Sequence, residues 1–238
     1  MTIRTAIYIL IPTILLVGLF GFIQPKPAAK DKTEISASFY PLYFFASEIV
    51  KDRAAVYNLT PAGVEPHDYE PSARDMARIQ NSDLVIYNGG GIDLWMEKIK
   101  NNLQKTDAVF VSAVENKGQT GAADPHVWLS SLLVKKQVAE ILAALKQIDE
   151  KNFSFYETNA KELNNKLDDL DVNIRKALKN CKKRDIITSH AAFTYFAQDY
   201  GLNQIAIAGL SPDEEPSPKR LAEIAKFAQK NNVKYIFF

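Results

Sequence analysis

From Phe153 to Asn180 the sequence carries one narrow apolar stripe, Phe155, Leu163, Leu167, Leu170, Ile174 and Leu178, with charged residues between them. A helix of about 25 residues here spans nearly 40 Å at 1.5 Å per residue. That is longer than a crossover over a single strand requires, so the tract predicts a connector between two bodies. Strand and helix signals alternate on either side of it. Upstream, strands are expected at Glu34–Phe39, Ala54–Thr60, Asp83–Asn88 and Ala108–Ser112. Helices are expected from Tyr40-Pro41 to about Val50, from Ser72 to about Ile79, and around Trp95-Met96. Ser72 with Asp75 three residues later is a capping pattern. Downstream come a strand at Asp185–Thr188, a helix from about His190 to Tyr200, and a strand at Gln204–Ala208. A helix opened by Ser217-Pro218 and a last strand at Val233–Phe238 follow. Such alternation implies βαβ units and parallel sheets. The expected class is therefore α/β, with two lobes, each a mainly parallel sheet flanked by helices, joined by a long rigid helix. Nothing follows the final apolar strand to cover it, so the C-terminal lobe reads as truncated.

The expected organisation has four parts. Residues 1–32 form a signal sequence or N-terminal membrane anchor plus linker, and 33–130 the N-terminal lobe. Residues 131–183 form a helical segment containing the connector, and 184–238 the incomplete C-terminal lobe. From Ala6 to Ile23, eighteen residues pass without a charge, with Arg4 before them and Lys26, Lys30 and Lys32 after. That length lies at the lower limit of a membrane span and above an ordinary signal core. It predicts an extracytoplasmic protein, exported or anchored by residues 6–23. Residues 1–32 hold four basic side chains and one acidic, which leaves 33–238 at −2 against the whole chain's +1. A chain with no basic excess is not expected to bind nucleic acid. Its lone Cys181 excludes a disulfide framework and a cysteine-based zinc finger. A monomer is expected.

The chain has only three histidines, and each falls at an element boundary. His67 lies in the loop after the second strand, His126 after the fourth, and His190 at the end of the first strand beyond the connector. In open α/β sheets ligands bind beyond the carboxyl ends of strands. Two of these residues come from the first body and one from the second, so they converge only in a cleft between bodies. Neutral imidazole is the commonest metal ligand, and three of them suit zinc, copper or nickel better than magnesium or calcium. The spacings of 59 and 64 residues exclude a finger or a helical metalloprotease motif.

The stretches Phe39-Tyr40-Pro41-Leu42, Gly63 to Pro71 and Asn88-Gly89-Gly90-Gly91 through Trp95 resemble the solute-binding metal receptors of bacterial ABC transporters. Members of that family capture zinc or manganese outside the cytoplasmic membrane. Asp124 to Leu129, Ser189 to Phe193 with Tyr200-Gly201-Leu202, and Glu215 to Pro218 are similar to its later motifs in the right order. The resemblance implies two α/β lobes, a metal held between them by His67, His126 and His190, and a fourth, acidic ligand in a portion beyond Phe238. It implies as partners an ABC permease with a separate ATPase subunit, a membrane contact through the N-terminal segment, and cell adhesion as a family-level role. This chain departs from the pattern in two further ways. Its segment Val114–Ala123 is short and holds no histidine, and it lacks a lipidation cysteine.

Zinc is the expected cargo, because His190 stands where manganese receptors often place a hard carboxylate. Manganese or iron remains the alternative within the family. Asp68, Glu65 and Glu70 are candidates to replace the acidic ligand or to orient an imidazole, or else they are solvated loop charges. A secreted three-histidine zinc hydrolase is the competing class, but the sequence shows no H-E-x-x-H motif and no obvious general base. The run Gly89–Gly91 lacks the Gly-Lys-Ser/Thr ending of a phosphate-binding loop, so it reads as a tight turn. The chain is therefore not expected to be an enzyme.

Overall fold

The computed structural model describes residues 32–102, 106–114 and 124–238. The apolar stretch 6–23 and the segment 115–123 lie outside the described residues. Strands β1 (Thr33–Ala37), β2 (Ala54–Asn58), β3 (Leu84–Tyr87) and β4 (Val109–Ser112) form one parallel sheet in the order β2-β1-β3-β4. Its helices are α1 (Tyr40–Val50), α2 (Ala73–Asn81) and α3 (Leu94–Asn102). The sequence Leu-Val-Ile-Tyr of β3 is apolar throughout because both of its faces are covered. Leu84 and Ile86 pack with Leu42, Phe45 and Ile49 of α1, while Val85 and Tyr87 pack with Ile79 of α2 and Met96 of α3. The Ser72 capping pattern is realised: its side chain accepts from the Asp75 amide, and the Asp75 carboxylate accepts from the Ser72 amide at 2.9 Å.

Helices α4 (Ser131–Ile148) and α5 (Phe153–Leu178) then close over the same sheet. Val134, Val138, Ile141 and Leu145 of α4 join the core of Ile35, Leu42 and Ile86, as do Tyr156, Ala160, Leu163 and Leu167 of α5. Two buried polar bonds fix the start of α5. Tyr156 Oη donates to Asp149 at 2.6 Å, and Asn159 donates to the Ile49 carbonyl at 2.8 Å. The 26 residues of α5 outrun that core. Leu170, expected on the buried stripe, is 48% exposed, and nearby Val172 is 61% exposed. The stripe is thus fully buried only over its first half, while Ile174 and Leu178 further on are half-buried.

Strands β5 (Asp185–Thr188), β6 (Asn203–Ala206) and β7 (Ile236–Phe237) make a second parallel sheet in the order β6-β5-β7, with helices α6 (Thr194–Tyr200) and α7 (Pro218–Asn231). Two expectations shift here. His190 is extended (φ −140°, ψ 176°) and precedes a single 3-10 turn, Ala191–Phe193, so the helix begins at Thr194 rather than at His190. The last strand is two residues long, and both are exposed. Strand order reverses beside β1 in the first sheet and beside β5 in the second, which places a crevice at the carboxyl ends of each. Among the described residues no helix is long and apolar enough to cross a membrane.

Candidate metal centre

All three histidines leave the carboxyl ends of strands and meet in that crevice. His67 rides the loop between β2 and α2, His126 precedes the 3-10 turn Val127–Leu129 after β4, and His190 follows β5. One ring nitrogen from each lies within 4.8 Å of the others. Ring centroids stand 5.7 Å (His67–His126), 6.4 Å (His67–His190) and 5.2 Å (His126–His190) apart. Two ligands of a tetrahedral zinc at 2.0–2.1 Å stand about 3.3 Å from each other. Small ring movements therefore bring the three nitrogens onto one ion.

His126 is the most enclosed of the three, 1% exposed. Its Nδ1 lies 2.7 Å from Asp124 Oδ1, and its backbone amide donates to the same oxygen at 3.0 Å. An ionised carboxylate only accepts, so the proton sits on Nδ1 and the lone pair on Nε2. That Nε2 is buried without a protein partner, and so is Nε2 of His67. Buried polar atoms are normally paired, so two orphaned imidazole nitrogens aimed into one crevice fit a cation. Burial works to raise the Asp124 carboxyl, but the bonds from the His126 ring and amide outweigh it and hold the group below its ordinary range. Burial lowers both His67 and His190 below the ordinary histidine value, and the neighbouring imidazole of His126 pushes each the same way. Neutral rings are the ligating form.

The crevice is a cavity of about 500 Å³ whose wall includes Phe39, Tyr40, Ile92 and Trp128. The Trp128 ring packs 5.2 Å from His126 and edge-on to Phe39 at 4.8 Å, an apolar floor under the buried imidazole. Among the described residues, the group able to hold a metal contains the three histidines and no carboxylate. The acidic candidates sit elsewhere. Glu65 accepts from the His67 amide at 3.5 Å, and Glu70 is exposed. Asp68 is hydrogen-bonded to the Asp213 side chain, and that bond pushes it above its ordinary value. Sequence reasoning missed Asp124, which does for His126 what those three were considered for. Its only signal was a carboxylate two residues before a histidine.

A family model described as zinc-uptake complex component A, periplasmic, matches residues 35–238. The high-affinity zinc uptake system protein ZnuA of Bacillus subtilis is 39% identical over 98% of this chain and 80% of its own length. The zinc-binding lipoprotein AdcA of Streptococcus pneumoniae is 37% identical over 88% of the chain, which spans about half (46%) of that longer protein. The crystal structure of the zinc-bound ZnuA-like domain of AdcA superposes with a TM-score of 0.75 at 40% identity, covering 86% of this chain and 78% of that one.

Proposed function

This chain belongs to the zinc-uptake complex component A family, and from that membership we propose that it captures a zinc ion outside the cytoplasmic membrane with His67, His126 and His190. The observation that carries this reading is the convergence of one ring nitrogen from each of the three histidines within 4.8 Å, with Nε2 of His67 and of His126 buried and unpartnered. Three imidazoles supply three of the four ligands zinc usually takes. A set with no hard anionic member favours zinc over manganese. Asp124 fixes the His126 tautomer and raises its basicity toward the metal. Burial already disfavours the protonated, non-ligating form of His67 and His190.

The ion is cargo and undergoes no chemistry, so capture and release are the whole activity; the family is a receptor of uptake systems and not a hydrolase. An ABC permease, energised by an ATPase on a separate chain, is the recipient.

The test is competition between the purified full-length chain and a chromophoric zinc chelator. The parent is expected to bind one zinc per chain, and His126→Ala to weaken it by at least about 100-fold. Equal zinc affinity in the parent and in a variant with all three histidines replaced by alanine would sink the assignment.

A further inference from the structure

We propose that Asn88 and Tyr195 are positioning residues for the metal ligand His126, gripping the two carbonyls that precede it from opposite lobes; the inference rests on the zinc-capture reading. The Tyr195 hydroxyl, on α6 of the second lobe, donates to the Asp124 carbonyl at 3.2 Å. The Asn88 side-chain amide, at the end of β3 in the first lobe, donates to the Pro125 carbonyl at 2.8 Å. Asn88 is fully buried and is itself held in place. Its backbone amide donates to Asp93 Oδ2 at 2.6 Å, the Gly89 amide donates to Asp93 Oδ1 at 2.7 Å, and its carbonyl accepts from Val114 at 2.9 Å. Gly89, Gly90 and Gly91 all take positive φ (74°, 66° and 103°), the backbone that folds the chain back to bring the Asp93 carboxylate over those amides.

The segment 124–126 is therefore fixed at each step. Pro125 contributes a locked φ and no amide to satisfy. The carbonyl of Asp124 goes to Tyr195, that of Pro125 to Asn88, and the amide and Nδ1 of His126 go to the Asp124 carboxylate. The atoms left over are Nε2 of His126 and the second oxygen, Oδ2, of Asp124. A ligand held this way gives up little freedom when the metal arrives, and that saving appears as affinity. Tyr195 has a second consequence. It lies five residues after His190, so its bond sets the spacing between the ligand of the second lobe and the buried ligand of the first.

Tyr195→Phe removes one oxygen and keeps the ring, and Asn88→Ala removes the amide. In the full-length chain we expect zinc affinity to fall about 10- to 100-fold for Asn88→Ala, the range known for groups that orient metal ligands, and by less, about 3- to 10-fold, for Tyr195→Phe, which loses one longer bond. The visible d–d bands of the cobalt-substituted protein should shift in both variants, since these report ligand placement. The apo melting temperature of Tyr195→Phe should stay at the parental value. Parental zinc affinity in both variants would overturn the inference, and so would weakened affinity with an unchanged cobalt spectrum. Should Asn88→Ala not fold, Tyr195→Phe decides alone. A parent chain that itself takes up no zinc would refute the capture reading, and this inference with it.

Discussion

His126 has one ring nitrogen committed and one free, and the committed one decides what the free one can do. Asp124→Asn preserves the shape of the partner while removing its charge. An amide can present either its oxygen or its NH₂ to Nδ1, so the tautomer is no longer enforced. Zinc affinity measured by chelator competition should fall about 10- to 100-fold, with little change in apo stability. Asp68→Asn is the contrast: its carboxyl faces Asp213 rather than a histidine, so zinc affinity should hold within about 3-fold of the parent. The three candidate ligands were legible in the sequence because every histidine stands where a strand gives way to a loop. Asp124 was not, because a carboxylate two residues from a histidine has the same signature whether it is a partner or a solvated charge. Only the backbone path of Asp124-Pro125-His126 turns that spacing into a 2.7 Å contact.

At the scale of elements, the long helix behaves as two segments joined end to end. Leu163 is 3% exposed within the core of the first sheet, whereas Leu170, two turns on, is 48% exposed. Leu163→Ala should cost about 2–5 kcal/mol in denaturant unfolding, from lost transfer energy and a residual cavity. Leu170→Ala should stay within about 0.5 kcal/mol of the parent. Equal costs would mean that the stripe is buried along its whole length. Ser72→Ala, which breaks the reciprocal cap of α2, should cost about 1 kcal/mol while leaving zinc affinity unchanged. Caps and strand positions were readable because they depend on neighbours in sequence. The point where the α5 stripe stops being buried was not, since periodicity marks which face is apolar and not how far the covering layer reaches. The same limit explains the last strand, where Val233–Phe238 has a strand's composition but only Ile236–Phe237 finds a partner, along β5.

Across the whole molecule, placing two half-buried histidines beside a buried one ties folding stability to pH. Burial holds His67 and His190 below their ordinary value of 6.5. Well above that value both rings are neutral in the folded and the unfolded chain, and they contribute no pH dependence. As pH falls below 6.5, the unfolded chain takes up protons that the folded chain still refuses. Stability is therefore fully present above about pH 6.5 and is lost as pH falls through the lowered folded values. Zinc deepens the effect, because each ligand that protonates must first release the metal. Urea unfolding of the apo chain between pH 7.5 and 5.5 should show stability falling, and a His67→Gln, His190→Gln double variant should show a shallower fall over the same interval. Parallel curves for the two proteins would place the acid sensitivity elsewhere. With zinc present at saturating concentration, the parent curve should steepen and the double variant should not, since the steepening requires the imidazoles that hold the ion.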